Sequence, residues 1–385
     1  MALIPLRPIL EATDRYAYAQ GAFNVNMVAQ AEAVIDIHAI FGAPAILQGA
    51  DLANGFMGGR TDFLNATVAD KQKGATNIAK AVQTVAKNAD IPIALHLDHG
   101  KDFNSVKAAI DGGYTSVMID GSSLPLEQNI ELTREVVKYA HQKGVTVEGE
   151  LGVLAGVEDH VFSETSTYTH PLDALRFFKQ TKVDALAISY GTMHGANKGK
   201  NAVVRKEIAI AIKECLRHEG QFGVLVSHGS STVPAYLVEA INSLGGDIQN
   251  AHGISLEQLK EVGPLGIGKI NVDTDIRLAV TRNLRSLFLA KPSLLNDPAL
   301  KEMKRLLEAN PKAFDPRVFL PPIMQTVMYG TIPSLEIDEV VKTVKQGVME
   351  VVGTLIVEFG CVGKAPLVQS FTLEQMADRY RKEGI

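Results

Sequence analysis

Three short apolar runs in this chain end alike, with a histidine and then a glycine, and that recurrence constrains the fold more than any other feature. Residues 91–101 read IPIALHLDHGK, residues 185–195 read ALAISYGTMHG, and residues 224–231 read VLVSHGSS. Short apolar runs bounded by turn residues suit buried strands. Asp98 and His99 at the end of such a strand have no packing role, because polar groups resist burial unless paired, hydrogen-bonded or metal-bound. Side chains alternate along a strand, so 96 and 98 point one way and 97 and 99 the other. Gly100 marks a turn, and a turn lets Asp98 and His99 face one site. A lone histidine after a strand is usually structural. Three on separate strands, His99, His194 and His228, suit a catalytic Zn²⁺ site with its fourth position open.

The same pattern, without histidine, fills the rest of the first 290 residues. Strands are expected at 21–26, 43–50, 91–101, 116–120, 145–151, 185–190, 224–227 and 269–272, each followed by a helical stretch. Alternation of near-continuous apolar strands with helices means a parallel sheet covered by helices. Eight such units predict a closed (β/α)₈ TIM barrel over residues 1–290, with its active site at the C-terminal strand ends. A doubly wound open sheet is the alternative. Residues 152–169 form a loop long enough to read as a lid. Residues 291–385 are helical and broken by prolines, with the longest helix pattern at 336–359. This C-terminal extension is expected to pack on the barrel or on a partner subunit.

Composition removes several classes of function. At 385 residues and 46% hydrophobic content the chain can build a large core. A net charge of −5 with no basic block argues against nucleic acid. Cys215 and Cys361 make no disulfide framework or metal spacing. No segment is long and apolar enough to suggest a membrane span, so a soluble, cytoplasmic protein is expected.

The remaining polar residues at strand ends carry alternative roles. Asp120 and Glu150 suit carboxylates behind metal-bound imidazoles. Glu148 faces either the site or the helix layer and solvent. His228-Gly229-Ser230-Ser231-Thr232 precedes a helix, and hydroxyls and backbone N–H groups there make a phosphate cradle. Gly195 and Thr274 add donors. Asp273-Thr274-Asp275 supplies caps for the helix that follows, and Arg277 is either a contact to a second phosphate or a surface residue. His38, His141, His160, His170, His218 and His252 read as surface residues, and His96 as a structural residue of the barrel wall.

These motifs resemble the class II, zinc-dependent fructose-bisphosphate aldolases. LHLDHG (95–100), SVMIDGS (116–122), VEGELG (147–152), GTMHG (191–195), SHGSSTVP (227–234) and KINVDTDIR (269–277) match in order and spacing. The likeness resumes at FDPRVFL (314–320) and FGCVGKA (359–365), and TLEQMADRY (372–380) is similar to the subgroup associated with carbon fixation. The resemblance implies reversible cleavage of fructose 1,6-bisphosphate to dihydroxyacetone phosphate and glyceraldehyde 3-phosphate, in glycolysis, gluconeogenesis or the Calvin cycle. It implies Zn²⁺ on His99, His194 and His228, with Asp120 and Glu150 behind them or at an alternate metal position. Asp98 would move the proton at the C4 hydroxyl, and Glu158, on the long loop, would exchange the proton at C3. Gly195, Gly229, Ser231, Asn271, Asp273 and Thr274 would hold the ketose and its C1 phosphate, and Arg277 would approach the distal phosphate. The backbone near Gly195, Gly229 and Ser231 would take a monovalent cation, Na⁺ or K⁺. A homo-oligomer, dimer or tetramer, is the implied assembly.

The chemistry fits the residues. Breaking C3–C4 leaves an ene-diolate, whose charge Zn²⁺ stabilises as a Lewis acid. A Schiff-base route would need a lysine in an apolar strand-end setting; Lys101 and Lys269 are the nearest candidates. Co²⁺ or Fe²⁺ would bind similar ligands. Two departures from the pattern bear on the substrate. Ala50 stands where the family usually has serine, with Asp51 beside it, and residues 329–338 look like an insertion. They favour, as a second reading, an aldolase for tagatose bisphosphate or for a ketose 1-phosphate with another distal group. A catalytically silent sugar-phosphate-binding protein is the third.

Overall fold

The computed structural model describes residues 3–158, 161–164, 166–198 and 203–385; of 157, 158, 161 and 162 it describes the backbone alone. Strands are numbered in chain order: β1 (Gln20–Asn24), β2 (Ala45–Ala50), β3 (Ile93–Gly100), β4 (Ser116–Ile119), β5 (Thr146–Leu151), β6 (Gly156–Glu158), β7 (Val161–Ser163), β8 (Ala185–Ile188), β9 (Val224–Ser227) and β10 (Ile267–Val272). All but β6 and β7 run parallel in one closed barrel of order β1-β10-β9-β8-β5-β4-β3-β2. Closure is made by β1 against β10, with Ala22 opposite Asn271. The expected eight-stranded barrel is therefore present, and the open sheet is not.

The barrel strands are buried but for Leu151 at the end of β5, which is why they read as apolar runs rather than as alternating ones. Their outward side chains meet a helix layer, with Val117, Val147, Leu186 and Leu225 in the core. Contacts across the closed sheet show what points inward. Lys269 on β10 reaches Glu148 on β5, and Asn24 on β1 reaches Asp98 on β3. These strands are not neighbours, so the side chains meet inside the barrel.

Local details differ from the sequence reading in three places. The stretch after β2, expected from its glycines as a loop through Gly58-Gly59 ahead of the next helix, opens as a helix of its own, Asp51–Met57. The 152–169 loop contains the antiparallel hairpin of β6 and β7. The helix Thr274–Ala290 does begin after Asp273, but the Asp273 side chain makes no cap hydrogen bond. Its carboxylate is held instead by Arg277 one turn on, where a charged donor outcompetes a backbone N–H.

The C-terminal segment packs on the barrel's own helices. The helix Leu335–Glu358 buries Val340, Val344, Val348, Val351 and Leu355 against the helices Thr274–Ala290 and Val28–Ile40. Its apolar positions recur at helical spacing, so one stripe carries the contact. The 329–338 stretch is the turn into this helix, with Ser334 accepting from the Ile337 N–H. The last helix, Leu373–Glu383, lies under the barrel floor, where the Tyr380 hydroxyl reaches Asp184 just ahead of β8. No helix among the described residues is long and apolar enough to cross a membrane.

Candidate metal centre and active site

Asp98 and His99 do face one site, because the backbone turns at His99. His99 has φ of 46°, a left-handed conformation uncommon for a residue other than glycine. The register of β3 against β4 shifts between Leu97 and Gly100. The strain tilts the imidazole inward beside the carboxylate that precedes it.

The three histidines converge. Ring centroids lie 4.7 Å apart for His99 and His228, 5.3 Å for His99 and His194, and 6.3 Å for His194 and His228. His99 Nδ1 stands 3.1 Å from Asp120 Oδ2 and 3.8 Å from Glu150 Oε2. His228 Nε2 donates to Glu148 Oε1 at 2.8 Å. The opposite nitrogens, His99 Nε2 and His228 Nδ1, confront each other at 3.1 Å. Imidazoles that give one nitrogen to a carboxylate and aim the other at a common point have the arrangement of metal ligands. Asp98, His99 and His228 form one group whose ligand atoms lie within 4.8 Å of one another, and His99, Asp120 and Glu150 form a second.

The electrostatics call for a cation. Around the imidazoles stand four buried or nearly buried carboxylates, Asp98, Asp120, Glu148 and Glu150, with the Lys269 ammonium paired to Glu148. Burial alone would depress the His99 imidazole, but Asp98, Asp120 and Glu150 outweigh it and hold it well above its ordinary range. Burial would raise the Glu148 and Asp120 carboxyls, yet Lys269 and His228 hold the first, and His99 and Ser122 the second, well below the usual carboxylate range. The donor set of imidazoles and carboxylates thus fits a divalent ion.

Asp98 is fixed by two amides. Asn24 Nδ2 donates to Oδ2 at 2.9 Å and Asn271 Nδ2 to Oδ1 at 3.0 Å, while Gln48 donates to Asn24 Oδ1 at 2.6 Å. Above this floor opens a cavity of about 650 Å³ lined by His194, Gly195, Asp273, Thr274, Arg277 and Arg317, with Leu52, Phe63 and Leu64 on one side. Gly229 and Ser231 lie behind it. Gly229 has φ of 61°, and a Cβ there would stand 2.5 Å from the Met193 carbonyl oxygen, so only glycine lets the two loops touch. Ser231 Oγ accepts from the Thr274 N–H at 3.2 Å. Asp275 accepts from Thr232 and Val233, which ties this loop to the helix Thr274–Ala290.

At the distal end, Arg277 is tied to Asp273 and to Asp315. Arg317 donates to Asp315 at 2.8 Å and lies over the Phe63 ring at 4.4 Å. Asp51 does not crowd this end: its carboxylate is ion-paired with Lys71, and Leu52 is the lining residue from that helix. The Glu158 side chain, Asp159 and His160 lie outside the described residues, so the expected mobile base has no geometry here.

Sequence reading missed part of the centre and misplaced two histidines. Glu148, left open by the sequence between the site and solvent, is buried and bonded to His228. Asn24, Gln48, Lys269 and Arg317 join the site; a lysine inside the apolar run KINV was the readable signal for Lys269. His38 and His141 are buried, not on the surface. His38 Nδ1 donates to the Val34 carbonyl within its own helix, and His141 is bonded to Asp184. His96 is buried as expected, 2.8 Å from Ser116 Oγ.

Comparison with known proteins supports what the geometry suggests. The family model for class-II fructose-bisphosphate aldolases matches residues 4–364. A fructose-bisphosphate aldolase from Giardia intestinalis is 36% identical over 87% of this chain and 93% of its own length. One from a Nostoc species is 34% identical over 99% of this chain and 96% of its own. In fold, the chain is similar to a fructose-bisphosphate aldolase from Campylobacter jejuni, with a TM-score of 0.65 and 20% identity over 94% of this chain and 97% of that one. The chain belongs to the class II fructose-bisphosphate aldolase family, and is a lyase of that family.

Proposed function

We propose that this protein is a metal-dependent aldolase that reversibly cleaves fructose 1,6-bisphosphate to dihydroxyacetone phosphate and glyceraldehyde 3-phosphate. The observation that carries this reading is the pair His99 Nε2 and His228 Nδ1, 3.1 Å apart and each backed by a carboxylate, beside the twice-anchored Asp98. His99, His194 and His228 would hold the ion, with Asp120 and Glu150 behind His99 or as an alternate position. A bound Zn²⁺ supplies Lewis acidity, stabilising the negative charge that develops next to the substrate carbonyl.

The chain's own groups do the rest. Asn24 and Asn271 orient Asp98, which takes the proton of the C4 hydroxyl as the C3–C4 bond breaks and the aldehyde forms. The electron pair stays on the three-carbon fragment, and Glu158 returns a proton to its C3. Each positioned acid or base typically contributes roughly 10²–10⁴-fold. Gly195, Gly229, Ser231, Asp273 and Thr274 would hold the ketose and its C1 phosphate, where glycine backbone and the N-terminus of the helix Thr274–Ala290 favour an anion. The same loops would take Na⁺ or K⁺. Arg277 and Arg317 would meet the distal phosphate. An even-numbered homo-oligomer is part of this reading.

The test is cleavage of fructose 1,6-bisphosphate before EDTA, after it, and with zinc returned. Loss and recovery are expected; activity that survives chelation would sink the metal mechanism. Ala50 and the apolar wall of Leu52, Phe63 and Leu64 favour a second reading with the same chemistry, on a ketose with a different distal group. Parallel assays on tagatose 1,6-bisphosphate and ketose 1-phosphates decide it by their relative kcat/KM.

A further inference from the structure

Lys269 is fully buried inside the barrel, below the site and away from the cavity lining. An ammonium is costly to bury unless strongly paired. Here Nζ donates to Glu148 Oε2 at 2.9 Å and to Asn271 Oδ1 at 2.6 Å. Each acceptor reaches on into the site. Glu148 Oε1 accepts from His228 Nε2 at 2.8 Å. Asn271 Nδ2 donates to Asp98 Oδ1 at 3.0 Å. His96 Nε2 also faces Glu148, at 3.4 Å.

An ammonium has donors only, and that fixes the sense of both relays. The Asn271 oxygen must face Lys269, so its NH₂ faces Asp98. Glu148, anchored by Lys269, takes the Nε2–H of His228, so the lone pair of His228 lies on Nδ1, the nitrogen that confronts His99. We infer that Lys269 is a positioning residue that sets two parts of the site at once: the tautomer of a metal-ligand imidazole and the aim of the Asp98 carboxylate. This rests on the aldolase reading above. It also gives Lys269 a role other than Schiff-base formation, because it lies away from the cavity lining and two of its three donors are committed to Glu148 and Asn271.

The test uses full-length protein loaded with Co²⁺, whose visible spectrum reports ligand geometry. In Lys269→Met, Co²⁺ affinity should fall roughly 10–100-fold, as for other residues behind metal ligands, with an altered spectrum. At saturating metal, kcat should fall about 10²-fold, the lower part of a positioned base's share, with KM within about threefold. Lys269→Met leaves Glu148 uncompensated, so Lys269→Met/Glu148→Gln, which removes both charges, provides a second protein that keeps the test alive if the first does not fold. A folded variant of either kind with wild-type Co²⁺ affinity, spectrum and kcat overturns the inference. So does failure of both to fold, which would make Lys269 a residue of stability alone. A wild-type protein that binds no Co²⁺ would refute the metal reading itself and is seen before any variant is made.

Discussion

At the N-terminal ends of the strands, His141 donates to Asp184 at 2.9 Å, and the same carboxylate accepts from the Val147 N–H and the Tyr380 hydroxyl. Tyr380 stacks on His141 with centroids 3.7 Å apart, and Arg7 lies 3.6 Å from Asp184 while also meeting Glu383. At the C-terminal ends, similar side chains are arranged otherwise: His99 and His228 point nitrogens at each other, and carboxylates outnumber cations. The lower cluster carries its own charge compensation. Its carboxylate accepts from His141, Val147 and Tyr380, and the Arg7 guanidinium supplies the compensating charge. The upper one holds more carboxylates than cations and offers the donor set of a metal site. Buried polar residues of the same types therefore separate into fastener and site by whether the chain itself balances their charge.

The largest expected effects lie at the upper cluster. His228→Ala should abolish zinc-dependent cleavage. It should also remove the rise in Tm that zinc gives the stripped wild type, a stabilisation of about 4 kcal/mol at a thousandfold excess over Kd. Asp98→Asn should keep that rise and lower kcat by roughly 10²–10⁴-fold. Thermal scans with and without zinc, beside the cleavage assay, check both. A His228→Ala protein still stabilised by zinc to the wild-type extent would show that the two clusters do not differ as described.

The lower cluster should answer in stability instead. Asp184→Ala removes the buried carboxylate that Arg7 and His141 share, and breaking a buried ion pair costs about 3–5 kcal/mol. Tyr380→Phe removes one hydrogen bond to a charged group, about 1.5–3 kcal/mol. Both should leave kcat within about twofold where the protein is folded. Burial would raise the Asp184 carboxyl, but His141 and Arg7 outweigh it and hold it below its ordinary value of 3.8. Its contribution is thus present above that value and lost as pH falls below it. Denaturant titrations at several pH values, beside kcat, separate the two roles; a tenfold fall in kcat would make the floor part of the site.

How far this division was readable in advance depended on locality. Strand ends were legible because glycine and histidine after an apolar run are signals within a few residues. The barrel followed from counting such runs. The inward or outward sense of a strand in a parallel barrel was not legible, because both faces are apolar and alternation carries no sign. That is why Glu148 stood undecided until closure set it across from Lys269. His141 looked like a surface residue because its partner, Asp184, lies 43 residues on and its cover, Tyr380, is in the last helix. The hairpin of β6 and β7 was hidden by a Gly- and Ser-rich loop, and the helix after β2 by glycines at 55 and 58.

A buried histidine outside both clusters sharpens the contrast, because His38 has no carboxylate partner among the described residues. Its Nδ1–H meets the Val34 carbonyl at 2.7 Å, Nε2 has no hydrogen-bond partner, and the ring packs edge-on to Phe23. Burial pushes its pKa down to about 4. The unfolded chain takes up this proton near pH 6.5, while the folded one resists until about 4. The stability contribution is therefore present above pH 6.5 and lost as pH falls toward 4, at about 1.4 kcal/mol per unit. Between pH 7 and pH 5 His38 should cost the wild type about 2 kcal/mol, and His38→Leu should be spared that loss. Unfolding free energies of the two proteins at pH 7 and pH 5 give the difference directly. If the two lose equal stability, His38 exchanges protons alike in both states, and burial without a carboxylate does not hold an imidazole neutral in this fold.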